Sequence, residues 1–124
     1  MINFYTCIPL NDHSVIAKRI FDSCVKFPEI AGGSKSINSI LTKLSKGKVF
    51  VKNGAEGVFV AIMPEKKSAL TVKIIDGARR AAEVAIAGLL SELKIINNNK
   101  IEKIKKMPIR NSANQVVGSM KWIC

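Results

Sequence analysis

Apolar side chains recur along this chain with two periods. From Ser14 to Lys26, "SVIAKRIFDSCVK" sets Val15, Ile16, Ile20, Phe21 and Cys24 at helical spacing, with Asp12 or Ser14 available as an N-cap. Pro28 should stop that helix, because its ring disfavours helical geometry in Phe27. "AGGS", residues 31–34, reads as a loop and a cap. It leads into "SKSINSILTKLS", a second helix with Ile37, Ile40, Leu41 and Leu44 on one face and Gly47 to close it. The period then drops to two. Lys48–Lys52, Gly57–Met63 and Ala69–Ile75 read as three strands whose connections, "NGAEG" and "PEKKS", are too short for a parallel crossover, so neighbours are antiparallel. Val58, Val60 and Ile62 alternate with Phe59, Ala61 and Met63, which makes both faces apolar and predicts cover on both sides.

"GARRAAEVAIAGLLSELKI", Gly77–Ile95, has the strongest helical pattern. Asp76 is its expected N-cap, and Ala81, Ala85 and Gly88 permit close packing, as suits the central covering element. "NNN" at 97–99 reads as a loop, and "PIRNSANQVVGSMKWI" as a hairpin with its turn near Ser112–Asn114. The fold class is α/β of the α+β type: an antiparallel sheet covered by helices. At 124 residues a single domain is expected.

Composition narrows the classes. Apolar residues are 48% of the chain and charged residues 23%, values of a globular domain. The net charge of +11 invites a nucleic-acid reading, but its distribution argues against one. Lysines outnumber arginines sixteen to four, and only "KIEKIKK", Lys100–Lys106, concentrates charge. Cys7, Cys24 and Cys124 have neither disulfide-framework nor zinc spacing, which fits a reducing compartment. No stretch reaches the ~18 apolar residues of a membrane span, and the start resembles no signal peptide, so a cytoplasmic protein is expected. His13, the one histidine, reads as a helix-entry residue, and Tyr5 and Trp122 are too few for a base-stacking platform.

The chemistry concentrates at the end of the first strand. Lys52 shares a strand face with Phe50 while Val49 and Val51 point the other way. A lysine so placed either presents its ammonium to a cleft, where it can act as a base, or guards a sheet edge. Asn53-Gly54 is a good primed-turn pair, the glycines at 54 and 57 let backbone approach a substrate, and Glu56 can pair with a cation.

Three strings then carry a family resemblance. "VFVKNGAEGVFVAIMPE", "LTVKIIDGARRAAEVAIAGLL" and "PIRNSANQVVGSM" follow one another as do the "K-x-G-A-E-G-V", "K-x-x-D-G-x-x-R-A" and "R-N-x-x-G-x-x-V-G" segments of the thermolabile, Rhizobium-type L-asparaginase II family. "FPEIAGG", Phe27–Gly33, and "IPL", residues 8–10, resemble two further family segments. The resemblance implies hydrolysis of L-asparagine to aspartate and ammonia on a fold similar to serine β-lactamases and glutaminases. It implies a catalytic role for Lys52, which would activate a nucleophilic serine, and a substrate pocket lined by Asn53, Gly54, Ala55, Glu56 and Gly57. The family's serine-lysine half and its zinc cysteines have no match in these 124 residues, so no cofactor is expected and Cys7 receives no zinc role.

Residues 1–124 are accordingly expected to be a C-terminal portion of an asparaginase-like domain. Such a portion is either inactive alone, a remnant, or completed by an N-terminal half from a neighbouring reading frame. Its partners would be L-asparagine, that half and, as an open alternative, a second copy. A small basic module binding nucleic acid or a partner through Lys46, Lys48, Lys66 and Lys67, or through "KIEKIKK", is the competing class.

Overall fold

A computed structural model describes residues 12–123, and their side chains from Ser14 onward. Cys7, Tyr5, residues 8–10, Cys124 and the capping roles of Asp12 and His13 lie outside what it describes. The elements are α1 (Asp12–Lys26), α2 (Pro28–Gly32), α3 (Ile37–Leu44), β1 (Phe50–Asn53), β2 (Val58–Met63), β3 (Ser68–Lys73), α4 (Arg79–Glu92), α5 (Asn99–Lys105), β4 (Lys106–Arg110) and β5 (Val116–Lys121). The α+β expectation holds: helices accompany one sheet of order β1-β2-β3 and a second, antiparallel sheet of β4 and β5. Contacts separate two compact units, one running up to Gly54 and including Val60–Thr71, the other formed by Ala55–Phe59 and the residues from Val72.

In the first unit, Phe21, Leu41, Val49, Val51, Ala61 and Met63 are buried. Each of these except Ala61 stabilises the fold by roughly 1.5–3 kcal/mol at most, before entropy is charged against it. Phe21 of α1 meets Phe50 edge to face, ring centroids 6.4 Å apart. Helix α1 ends at Lys26 as Pro28 requires, but Pro28 also opens α2, a short helix that takes in Ala31 and Gly32 of the expected loop. Its fixed φ and missing N–H suit a first helical turn. Gly32 then lets α2 approach α3, since a Cβ there would lie 2.9 Å from Ser36 Oγ and 3.0 Å from Asn38 Cβ.

Helix α3 buries Leu41 as expected but departs from its expected face at the other three apolar positions. Ile37, Ile40 and Leu44 are only half-buried, whereas Asn38, Ser39 and Thr42 are 2%, 0% and 1% exposed and Ser45, its C-cap, 2%. Hydrogen bonding explains the inversion. Thr42 Oγ1 accepts the Val51 N–H at 3.1 Å, and Ser45 Oγ accepts the Val49 N–H at 3.1 Å. Asn38 Nδ2 donates to Asn53 Oδ1. Helix positions 38, 42 and 45 therefore meet strand positions 53, 51 and 49 in reverse order, a polar seam along the open side of β1. Strand amides that would otherwise be buried unpaired are satisfied by side chains.

Strand β2 keeps its predicted alternation, with one correction. Phe59, Ala61 and Met63 are buried, but Val58, Val60 and Ile62 are half-buried, so one face is fully covered and the other partly.

In the second unit α4 buries Ala82, Val84, Ile86, Ala87, Gly88 and Leu90, and its neighbours there are α5, β4 and β5. Asp76 is not its N-cap; Ala78 occupies that position, and Asp76 Oδ1 instead accepts the Ala78 N–H at 2.9 Å. The displacement follows from Gly77, whose φ of +73° places a turn between Asp76 and the helix. The basic run at 100–106 contains an unanticipated helix: Asn98 caps α5 by accepting the Lys100 N–H, and Ile101 and Ile104 turn inward. Its lysines occupy the remaining faces, with Lys105 Nζ on Glu102 Oε1 at 3.0 Å. The hairpin turn falls where the pattern placed it, with Asn114 N–H bonded to Asn111 O at 2.9 Å. A bulge near Arg110 lets Val116 pair with Arg110 and Gly118 with Ile109.

Two outcomes follow. A Cβ on Gly88 would lie 2.2 Å from Trp122 Cδ2. Gly88→Ala should therefore cost about 1–3 kcal/mol in urea unfolding, against within ~0.5 kcal/mol for Gly118→Ala, where the nearest atom is 3.8 Å away. Separately, the Lys43 ammonium, 3.0 Å away, holds the Glu29 carboxyl below its ordinary range. A carboxyl lowered in the folded state adds stability above its unfolded pKa and loses it as pH falls through the folded one. Melting temperature against pH should show a small acid-side decline that Glu29→Gln removes.

Candidate active site

The residues singled out at 52–57 fall in both units, three in each. Lys52 is the penultimate residue of β1 and lies on its exposed side, whereas Val49 and Val51, which point the other way, are fully buried. Its Nζ donates to Asn53 O at 3.0 Å and reaches Asn53 Oδ1 at 3.4 Å. The ammonium is thus held at the strand terminus and does not extend freely into solvent. Asn53 is half-buried and accepts from Asn38 through the same Oδ1, which has lone pairs for both donors. Its Nδ2 faces Gly54 O at 3.4 Å. Gly54 is exposed.

Ala55, Glu56 and Gly57 form the turn into β2. Glu56 (φ 53°) and Gly57 (φ 71°) are both left-handed, and Val58 N–H returns to Ala55 O at 3.3 Å. Two successive positive φ values are the signature of a primed turn. The primed pair is therefore Glu56-Gly57, and the Asn53-Gly54 expectation is corrected: neither residue is left-handed. Asn53 is committed to the strand by its contacts with Asn38 and Lys52, which leaves the reversal to the next pair. The Glu56 carboxylate forms no ion pair among the described residues, while its backbone carbonyl accepts from Lys73 Nζ.

The second motif locks this turn. Ile74 N–H donates to Gly57 O at 3.1 Å, and a Cβ on Gly57 would lie 3.0 Å from the carbonyl carbon of Gly77. Gly77 in turn has the Glu56 Cα 3.5 Å from where its own Cβ would be. Lys73, Ile74 and Gly77 of "KIIDG" are thus gathered on Glu56 and Gly57 of "GAEG", two strings sixteen or more residues apart in sequence. The third motif closes on itself: Arg110 Nη1 donates to Asn114 O at 2.8 Å and Gln115 N–H to Asn111 Oδ1 at 3.0 Å.

Two segments quoted for their family resemblance thereby meet in one backbone lock, and over residues 6–122 the chain matches the family model described as L-asparaginase II. The chain belongs to the L-asparaginase II family. A search of curated proteins returned no match. No group of three His, Cys, Asp or Glu side chains stands together as a metal site among the described residues. Cys24 is a half-buried free thiol on α1.

Sequence reasoning passed over Asn38, Thr42 and Ser45, which brace the strand bearing Lys52. The available signal was their spacing: three polar residues at 38, 42 and 45 lie along one helix face beside a strand that needs partners. Lys73 was also missed, although it opens the second motif.

Gly57→Ala and Gly33→Ala separate conformation from contact. Both glycines have positive φ, but Gly33, with ψ 144°, has a backbone that essentially only glycine adopts and nothing within 4 Å of a Cβ built on it. Gly33→Ala should therefore cost about 1–3 kcal/mol in urea unfolding through conformation alone, and Gly57→Ala roughly 2–4 kcal/mol, because there the press against Gly77 adds to the turn's own strain.

Proposed function

We propose that this chain supplies the C-terminal portion of an asparaginase of the thermolabile type, hydrolysing L-asparagine to L-aspartate and ammonia. Lys52 acts on a nucleophilic serine carried by an N-terminal portion outside these residues. The observation that carries the reading is the placement of Lys52 within a chain of this family: a lysine at a strand terminus, its ammonium exposed and held on Asn53. Activation of a hydroxyl by lysine needs an amine at a defined position beside it, which a strand end provides better than a free loop. Asn53, Gly54, Ala55, Glu56 and Gly57 would border the substrate, with Glu56 held by Lys73 and Gly57 close against Gly77.

Exposed apolar side chains support a chain that works against a further polypeptide surface. In the first unit Val15, Ile16 and Ile20 of α1 are 50%, 51% and 59% exposed; in the second, Val116 and Val117 of β5 are 58% and 61% exposed. A serine-lysine half with a β-lactamase-like arrangement would be the complement, acting in the cytoplasm. Among the described residues no helix is long and apolar enough to cross a membrane.

The chain alone should release no ammonia from asparagine, and mixing it with an N-terminal half that carries the serine-lysine pair should start release. Lys52→Ala should then lower the rate by about 10²–10⁴-fold. Silence from both the mixture and the single chain would end the split-enzyme reading. Full activity in Lys52→Ala would return Lys52 to an edge-strand residue whose head group reaches water.

A further inference from the structure

We infer that Asn38 is a positioning residue for Lys52, acting through Asn53. Three observations lead there. Asn38 is 2% exposed, so its amide is removed from water and its orientation is set by protein contacts alone. Its one hydrogen-bond partner among the described residues is Asn53 Oδ1, and its own Oδ1 is buried with none. The Asn53 group it holds is the group that Lys52 Nζ also approaches, with the Asn53 backbone carbonyl as the second acceptor.

A buried amide with one end unsatisfied carries a desolvation penalty that an apolar side chain of similar volume would avoid. Packing alone therefore does not account for asparagine at 38. The Thr42 and Ser45 contacts of the same seam satisfy strand backbone, and either would serve to hold β1. Asn38 does something different: it reaches a side chain, and through that side chain an ammonium. The order Asn38, Asn53, Lys52 transmits the rigidity of a buried helix to a charged group at the surface.

The inference rests on reading Lys52 as the catalytic lysine, but its test requires no turnover. Acetylation by acetic anhydride, followed by mass spectrometry, gives the labelling rate of Lys52 relative to Lys35 and Lys48 in the same sample. Asn38→Ala should raise the relative rate of Lys52 about three- to tenfold, as expected when an ammonium loses a held acceptor. Asn53→Ala should do the same, and the double variant should add nothing beyond the larger single effect. A fall in melting temperature with the Lys52 rate unchanged, or additive effects, would overturn the proposal and leave Asn38 as a brace. Should Asn38→Ala fail to fold, exchange of the Asn38 side-chain amide protons in ¹⁵N spectra decides. They should exchange slowly in the unaltered chain and markedly faster in Asn53→Ala, and no change would refute the relay. Absence of ammonia release would leave this result untouched, and an unchanged Lys52 rate would leave the asparaginase reading standing.

Discussion

The first unit depends on a strand edge whose hydrogen-bonding groups are met by side chains. In an extended strand the amides of alternate residues point to the same side, so Val49 and Val51 present theirs together, away from β2. Each unpaired one, once buried, would cost on the order of 1–3 kcal/mol. Thr42 and Ser45 supply the partners from α3. Because side chains on a helix at intervals of three and four share a face, and those on a strand repeat every two, the two periods coincide over this short distance. That coincidence lets the helix run beside the strand and brings Asn38 to Asn53. Without it, β1 would have a free side, and Lys52 would sit on a frayed end.

The second unit solves a different problem, the sharp entry into β2. A left-handed glutamate is uncommon, and Glu56 adopts that conformation between a glycine with the same sign of φ and the Lys73 ammonium on its carbonyl. Gly77 makes room for this turn from outside. The glycines of the two motifs consequently act first on each other: each permits the other's backbone to come close. Any substrate contact at this turn would meet a backbone already committed to one shape, which is the condition for aligned N–H groups to bind without reorganising.

Much of this could be read from the sequence, and what could not has a common cause. Strand β2, the end of α1 before Pro28 and the hairpin turn near Asn114 follow from local patterning and turn chemistry. Asn38, Thr42 and Ser45 defeat a reading that equates polar with exposed, because their burial depends on a strand edge whose location is not encoded nearby. Asp76 was displaced from its capping role by the left-handed turn at its neighbour Gly77. Helix α5 hid beneath its lysines, since Ile101 and Ile104 are two residues only, too few to stand out from a charged run. At the candidate site Lys52 was legible through its motif and its strand position. Its connection to Asn38 was not, because fourteen residues separate them and neither is apolar.

The seam beside β1 also gives the sheet a direction of growth. Where a neighbouring strand would attach, α3 has already taken the amides of Val49 and Val51, and its hydroxyls offer an incoming chain no repeating ladder. β3 stands at the opposite end of the order β1-β2-β3. A strand from a companion polypeptide or from a misassembled copy therefore cannot pair with the Val49 and Val51 amides unless it displaces the two hydroxyls, and the end of the sheet that bears Lys52 is shielded from such growth.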